Sequence, residues 1–351
     1  MPEVKIAFFD TKLYDKESFD LINKNFGFNI TYFAPHLTPE TVSLAKGFDV
    51  VCVFVNDMLN QDVIGQLFQN GIKLIAFRAA GYNNVDLKAA LNKIHIVRVP
   101  AYSPHAVAEH AVALMMSLNR KIHKAYYRTR DNNFSIQGFL GFDMAEKTAG
   151  VIGTGKIGKV LIKILKGFEM RVLAYDLFPD EKFRSEIGFE YVGLDQIFRE
   201  SDIISLHCPL SKETYHLINQ GNIAKMKDGV MIINTGRGRL IDTRALIEGL
   251  KRGKIGNAGL DVYEEEGEYF FEDFSAAGIA DDTLARLLTF PNVLITSHQG
   301  FFTREALHSI AETTLSNIKD YFQKGEFKNE ICYKCGQQQG NCTKTKTGKC
   351  F

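Results

Sequence analysis

Residues 147–158 read Lys147-Thr148-Ala149-Gly150-Val151-Ile152-Gly153-Thr154-Gly155-Lys156-Ile157-Gly158, and this stretch decides the fold. Gly153, Gly155 and Gly158 form G-x-G-x-x-G. Surface loops produce that pattern by chance, so its flanks carry the meaning. The run 147–152 is suited to a buried strand. From Lys156 to Met170, Ile157, Val160, Leu161, Ile164, Leu165 and Phe168 recur at helical spacing. In a strand–turn–helix setting the three glycines have separate tasks: a tight turn, close backbone approach to a pyrophosphate, and close packing of helix on strand. The helix start, at Lys156 and Ile157, offers N–H groups without partners and a partial positive charge to that pyrophosphate.

A second strand, Arg171 to Tyr175, ends at Asp176, 18 residues after Gly158. A carboxylate there accepts hydrogen bonds from both ribose hydroxyls of NAD and repels the 2′-phosphate of NADP. Leu177, Phe178 and Pro179 bring no cation to welcome that phosphate. The competing reading is a surface aspartate in a strand–helix turn; the full βαβ context favours NAD.

Outward from this unit the chain keeps alternating. Strands are expected at 4–9, 29–33, 50–55, 72–78 and 96–100, with helices at 15–26, 38–45, 61–70 and 87–91 between them. After Asp176 come strands at 191–192, 202–207, 230–234, 258–262 and 293–296, with helices at 194–200, 221–225 and 243–253, and a last helix over 303–324. Such β/α alternation implies mostly parallel sheets covered by helices. Only the later half carries the glycine fingerprint, which suggests a substrate domain and a cofactor domain. The helix over 105–119 is apolar on several faces and is expected to be buried between domains or subunits, with Glu109 and His110 as satisfied buried polar groups. Residues 121–143 mix charge, aromatics and Asn/Gly, and read as a long excursion that wraps a partner or forms an arm.

At 351 residues, 45% hydrophobic and 24% charged, the chain has room for two cores. A net charge of +1 gives no global electrostatic case for nucleic acid or membrane binding. No apolar run reaches transmembrane length. The opening Met1 to Ile6 enters a strand directly, without a signal-peptide layout, so a cytoplasmic location is expected. Cys52 and Cys208 lie in apolar segments and read as buried thiols.

Three ionisable residues follow the ends of successive strands: Arg237, Glu266 and His298. In an open parallel sheet those ends line one crevice where ligands bind. Reducing a 2-oxo acid needs a group to hold the carboxylate, a proton donor for the carbonyl oxygen, and something to tune that donor. Arginine has the planar fork for a carboxylate. Histidine is the acid or base near neutral pH. A glutamate bonded to the histidine would orient the ring and favour its charged form. Singly, each residue also reads as an ordinary surface or loop group. Arg78-Ala79-Ala80-Gly81-Tyr82-Asn83-Asn84-Val85-Asp86 is either a ligand loop at a strand's carboxyl end or a plain connection.

Together these stretches resemble the D-isomer-specific 2-hydroxyacid dehydrogenases, and within them the D-lactate dehydrogenase branch, over about residues 4–330. The resemblance is carried by 78–86, the glycine fingerprint and His207-Cys208-Pro209-Leu210. Asn234-Thr235-Gly236-Arg237-Gly238, Gly259 to Glu266 and Ser297-His298-Gln299-Gly300-Phe301 complete it. It implies an α/β fold of two doubly wound parallel-sheet domains, Rossmann-like and flavodoxin-like, with the active site in the cleft between them. Residues 1–101 plus 300–335 would form the substrate domain, 102–299 the NAD-binding domain and 336–351 a Cys/Lys-rich tail. It implies that Arg237 binds substrate, that Glu266, by its spacing from Asp261, partners the histidine, and that His298 is the acid/base. Ala80 and Gly81 would offer N–H groups to the substrate carboxylate, and Tyr102 and Phe301 would wall the pocket. Cys208, Pro209, Thr235, Gly236 and Asp261 would line the nicotinamide half of the cofactor site. The implied reaction is reversible hydride transfer from NADH to pyruvate, giving D-lactate, in a homodimer built through the NAD-binding domain. Bulkier 2-oxo acids such as phenylpyruvate or branched ones remain open. So does a non-enzymatic NAD(H)-sensing scaffold resembling the co-repressors that share this fold and the Arg, Glu and His.

The resemblance stops near Glu330. Beyond it Cys332, Cys335, Cys342 and Cys350 stand among Gly, Gln, Lys and Thr. Four thiolates suit a tetrahedral zinc site. A polar tail with reduced thiols fits the composition, and a redox pair of Cys332 with Cys335 is the third reading.

Overall fold

Short apolar runs bounded by Gly, Asn and Asp build two sheets. The computed structural model describes residues 3–336 and Cys350. The chain divides into two units, Met1–Ser103 with Thr303 onward, and Pro104–Phe302. The sequence reading sets these breaks after residues 101 and 299; here they follow Ser103 and Phe302.

In the first unit, β1 (Lys5–Phe8), β2 (Asn29–Tyr32), β3 (Val50–Val53), β4 (Leu74–Phe77) and β5 (His95–Val97) run parallel in the order β2-β1-β3-β4-β5. This is the flavodoxin-like order. A two-residue strand, Glu330–Ile331, pairs antiparallel with β5 and was too short to read from pattern. Every residue of β3 and β4 is buried, as strands covered on both faces require. The helix Arg304–Lys324 buries Ala306, Ile310, Ala311, Leu315 and Ile318 along one face, capped by Thr303 and ended by Gly325 at φ +64°. The expected helix over 38–45 is only a 3-10 turn, Val42–Ala45. The Thr41 hydroxyl donates to the His36 carbonyl at 2.6 Å and accepts from the Thr38 N–H at 2.8 Å, which turns the chain before a helix can start.

Two buried charges brace the carboxyl ends of this sheet. Arg78 is 2% exposed. It lies against the rings of Phe8 and Phe54 and donates to the Asp10 carbonyl at 2.7 Å and Asp15 Oδ1 at 3.3 Å. Asp57 accepts from the N–H groups of Leu37 and Phe54, each at 2.6 Å, and burial pushes its carboxyl up to about 6. Asp57→Ala would strand both buried donors. A loss of about 2–6 kcal/mol is expected at about 1–3 kcal/mol per unpaired group, and less for Asp57→Asn, which keeps one acceptor. Urea unfolding of the three proteins checks the order; equal midpoints would contradict it.

The second unit holds β6 (Thr148–Ile152), β7 (Arg171–Tyr175), β8 (Glu190–Tyr191), β9 (Ile203–Leu206), β10 (Val230–Asn234), β11 (Ile255–Leu260) and β12 (Val293–Ile295). All are parallel, in the order β12-β11-β10-β9-β6-β7-β8. This is the dinucleotide-binding order with one strand added, and it reverses between β6 and β9. Alternate residues of β6 feed opposite faces: Ala149 and Val151 join one core cluster, Ile152 the other.

The helix Pro104–Arg120 lies on this sheet. Its Ala108, Ala111, Leu114, Met115 and Leu118 join the core that includes Val151, Leu161, Met231 and Ile233. The burial expected between domains or subunits is thus largely supplied within the unit. Glu109, expected to be buried, is exposed. The stretch read as an excursion from 121 opens with a helix, Ile122–Arg130, none of whose residues is buried. No helix among the described residues is long and apolar enough to cross a membrane.

Candidate active site

The crevice beyond β6 and β9 starts with the glycine fingerprint. Gly153 has φ +99°, and a Cβ there would lie 2.5 Å from the Cys208 nitrogen and 2.6 Å from the His207 carbonyl oxygen. Glycine therefore lets the turns after β6 and β9 touch. Gly155, the N-cap of the helix Lys156–Gly167, is exposed, with nothing within 4 Å of its Cβ position, so a ligand can approach its backbone. Gly158 sits where a Cβ would fall 2.0 Å from the Gly153 carbonyl oxygen. Gly158→Ala must push helix from turn, at about 1–3 kcal/mol for an overpacked site. A lower melting temperature and NADH affinity reduced by about 10-fold or more are expected, read by thermal melts and fluorescence titration. Wild-type values in both would refute the tight-packing argument.

Asp176 follows β7 and is half-buried. Its Oδ2 accepts from the Thr154 N–H at 2.6 Å and hydroxyl at 3.1 Å, and its Oδ1 from the Phe178 N–H at 2.9 Å. The carboxylate is thereby aimed from the fingerprint turn with lone pairs remaining for ribose hydroxyls. Thr154, an unmarked x of the fingerprint, was not singled out by pattern. After β9, burial pushes His207 down to about 4 and Cys208 up to about 11. Both stay neutral near pH 7, and His207 Nε2 is fixed by the Ser205 hydroxyl at 2.7 Å. Pro209 is exposed beside them.

Beyond β10 the Asn234 side chain ties the turn, accepting from the Gly236 N–H at 3.0 Å and donating to the Arg237 carbonyl at 2.9 Å. The Thr235 hydroxyl is buried with no protein partner among the described residues. An orphaned polar atom at the carboxyl end of a central strand suits a polar cofactor. With the glycine cradle and Asp176, the residues present fit NAD.

Arg237, Glu266 and His298 stand past the ends of β10, β11 and β12, which are neighbours in the sheet. Arg237 is half-buried, its Nη1 donating to the Gly236 carbonyl at 2.8 Å. Gly238 fixes the turn from below: a Cβ there would meet the Tyr263 carbonyl oxygen at 2.0 Å. His298 Nδ1 lies 3.0 Å from Glu266 Oε1, and Glu266 Oε2 accepts from the Tyr263 N–H at 2.9 Å. The structure therefore brings Glu266 and His298 together and places Arg237 on the adjacent strand end. Of the other glutamates in the run, Glu264 bonds His216 at 2.7 Å and Thr243 at 2.8 Å, and Glu265 pairs with Arg239 at 3.3 Å.

Asp261, expected along the nicotinamide, has its carboxylate hydrogen-bonded within the protein. It is 1% exposed; Oδ1 accepts from Thr296 at 2.5 Å and the Gln299 N–H at 2.9 Å, and Oδ2 from the Gly300 N–H at 2.8 Å. His110 Nε2 adds contacts to Thr296 at 3.0 Å and Asp261 at 3.2 Å. This knot, which bonds partners 35–39 residues apart, holds the segment carrying His298, whose φ is +50°. No local pattern could have revealed it. Phe301 is 9% exposed in the same unit. Ala80, Gly81 and Tyr102 belong to the first unit, all partly buried. There Arg98 Nη1 braces the Ala80 carbonyl at 2.7 Å, just past β4.

Comparison with known proteins accords with this geometry. Residues 112–300 match the family described as D-isomer specific 2-hydroxyacid dehydrogenase, NAD binding domain. The chain is 54% identical over 324 residues to a D-lactate dehydrogenase of Escherichia coli K12, covering 92% of this chain and 98% of that protein. A crystal structure of D-lactate dehydrogenase with NAD+ from Lactobacillus jensenii is 33% identical with a TM-score of 0.76, over 90% of this chain and 95% of that one. The structure of a D-2-hydroxyisocaproate dehydrogenase is 33% identical with a TM-score of 0.82, over 93% and 99%. Fingerprint, strand order, orphaned threonine and sequence identity converge on one conclusion: the chain belongs to the D-isomer-specific 2-hydroxyacid dehydrogenase family and is an NAD-dependent member of it.

Proposed function

We propose that the chain catalyses the reversible reduction of pyruvate to D-lactate with NADH, with His298 as acid/base. The observation that carries this is the His298–Glu266 pair, 3.0 Å apart, at the carboxyl ends of strands in an NAD-binding unit. With Nδ1–H given to Glu266, the proton on Nε2 is the one His298 can lose. The protonated ring donates it to the carbonyl oxygen of the oxo acid, and Glu266 steadies the charged ring before transfer. Arg237 takes the carboxylate and sets the carbonyl in place, which removes orientation entropy from the barrier. The chemistry supplied by bound NADH is hydride transfer to C2. In the direction of lactate oxidation the neutral ring accepts the hydroxyl proton. The backbone near Ala80 and Gly81 is assigned to the carboxylate, and Tyr102 and Phe301 to the pocket wall. Pyruvate is chosen over bulkier acids because D-lactate dehydrogenases are among the relatives that match the chain over most of its length.

The test is NADH oxidation with pyruvate, phenylpyruvate and 4-methyl-2-oxopentanoate, with chiral analysis of the products. The highest kcat/KM on pyruvate and a D product are expected. Preference for either bulkier acid would reassign the substrate; an L product, or NADH binding without turnover, would refute the proposal.

We infer further that two copies pair through the NAD-binding unit. Ile122, Tyr126 and Tyr127 on the unburied helix, with Phe134, Ile136 and Leu140 beyond it, are each more than half exposed. A second copy would cover this apolar surface. Light scattering should give twice the chain mass; a monomer at micromolar concentration would contradict the pairing.

A further inference from the structure

The cysteines beyond Glu330 have no part in the reaction above, yet two of them meet. Cys332 and Cys350 are 4% and 1% exposed, and both are thiols. The Cys350 thiol lies within interaction range of the Cys332 sulfur and the Glu330 carboxylate. The Cys350 N–H also donates to Glu330 Oε2 at 2.7 Å, and Glu330 Oε1 lies 2.6 Å from His95 Nδ1. Glu330 is in the short strand paired with β5, so the anchor for Cys350 is part of the first unit's sheet. Sequence spacing singles out Cys332 with Cys335; the structure sets Cys332 against Cys350. The side chain of Cys335 and the whole of Cys342 lie outside the described residues.

A structural zinc site needs four donors around one point. No third His, Cys, Asp or Glu among the described side chains forms a coordination-sized group with these two sulfurs. Two adjacent thiols suffice for a disulfide. Residues 337–349 bring no aliphatic or aromatic side chain for burial to the sequence between the two cysteines. A covalent closure supplies what that composition lacks.

We propose that Cys332 and Cys350 form a redox-active pair that a small-molecule disulfide, such as oxidised glutathione, converts into an intramolecular disulfide. The Cys332 thiolate attacks one sulfur of the small disulfide, whose S–S bond breaks and releases one small thiol. Cys350 then attacks the Cys332 sulfur of the mixed disulfide, and the second small thiol leaves. Two protein thiols lose two electrons, one small disulfide gains them, and both protons end on the released thiols. The Cys350 proton departs by way of Glu330. Burial, and the Glu330 carboxylate beside it, hold the Cys350 thiol protonated. Exchange therefore waits on local opening and is slow.

The test uses the full chain. After incubation with oxidised glutathione and denaturation, thiol titration should find two fewer than the six cysteines. Non-reducing peptide mapping should join Cys332 to Cys350. Cys335→Ser and Cys342→Ser should lose the same two thiols, whereas Cys350→Ser should form no internal disulfide and carry glutathione on Cys332. NADH oxidation by each variant reports that it is folded. An unchanged thiol count, a Cys332–Cys335 link, or stoichiometric metal on these sulfurs in freshly purified protein would overturn the proposal.

Discussion

Replacing His298 by asparagine is expected to lower the rate of pyruvate reduction by about 10²–10⁴-fold, the usual worth of a positioned acid. NADH affinity should change by less than about 2-fold, because the glycine cradle and Asp176 are untouched. Asparagine is the right replacement because residue 298 has φ +50°. Asparagine adopts that region more readily than alanine, so the loop held by Asp261 should survive. The amide fills part of the ring's place but has no proton to give. Glu266→Gln should cost less, about 10–100-fold, since the ring remains and only the group that steadies it changes. The order matters more than either number. If Glu266→Gln equalled the wild type, the 3.0 Å pair would be a structural contact only. If His298→Asn retained most of the turnover, another donor would be protonating the carbonyl. Stopped-flow NADH oxidation under single-turnover conditions separates these losses from slow product release.

The parts of the site that could be read from the chain are those made by neighbours in sequence. The three glycines, the strand before them, the helix after them and Asp176 lie within 29 residues, Thr148 to Asp176, and each constrains the next. The Rossmann-like half was legible for that reason. Glu264, Glu265 and Glu266 were not separable by residue type, only by family spacing. The structure gives each a different partner: His216 and Thr243, Arg239, and His298. What stayed hidden depends on distant pairs. The resemblance alone sets Asp261 along the nicotinamide, and nothing in its local sequence announces its partners Thr296, Gln299, Gly300 and His110, which come from other elements. The helix Ile122–Arg130 hid for the opposite reason. None of its residues is fully buried, so no apolar stripe against a core announced it. Thr38 to Ala45 has helical spacing, yet one threonine hydroxyl bonding back to His36 was enough to turn it.

Arg237→Ala should raise KM for pyruvate and lower kcat/KM by about 10²–10³-fold, which lies inside the about 2–5 kcal/mol lost with a paired, partly desolvated charge. The neighbouring sequence supplies its own control, because Arg239 lies two residues on with the same charge. Arg239 is exposed and already paired with Glu265 at 3.3 Å, so Arg239→Ala should leave kcat/KM within about 2-fold, as surface pairs usually do. Arg237 differs because its turn is built to aim it: Asn234 ties both ends, and Gly238 is packed against the Tyr263 carbonyl where no Cβ fits. Arg237→Lys keeps the charge but loses the two-pronged fork, so one of two charge-assisted bonds goes, at about 1.5–3 kcal/mol, or about 10–100-fold. A ladder of wild type, Lys and Ala, each step seen mainly in KM, is the signature of a carboxylate gripped by a planar group. If lysine matched arginine, the site would need only charge, and the fork would have no role. If the wild type and both variants shared one KM, the carboxylate would be held elsewhere, and the backbone beside Ala80 and Gly81 would become its first candidate.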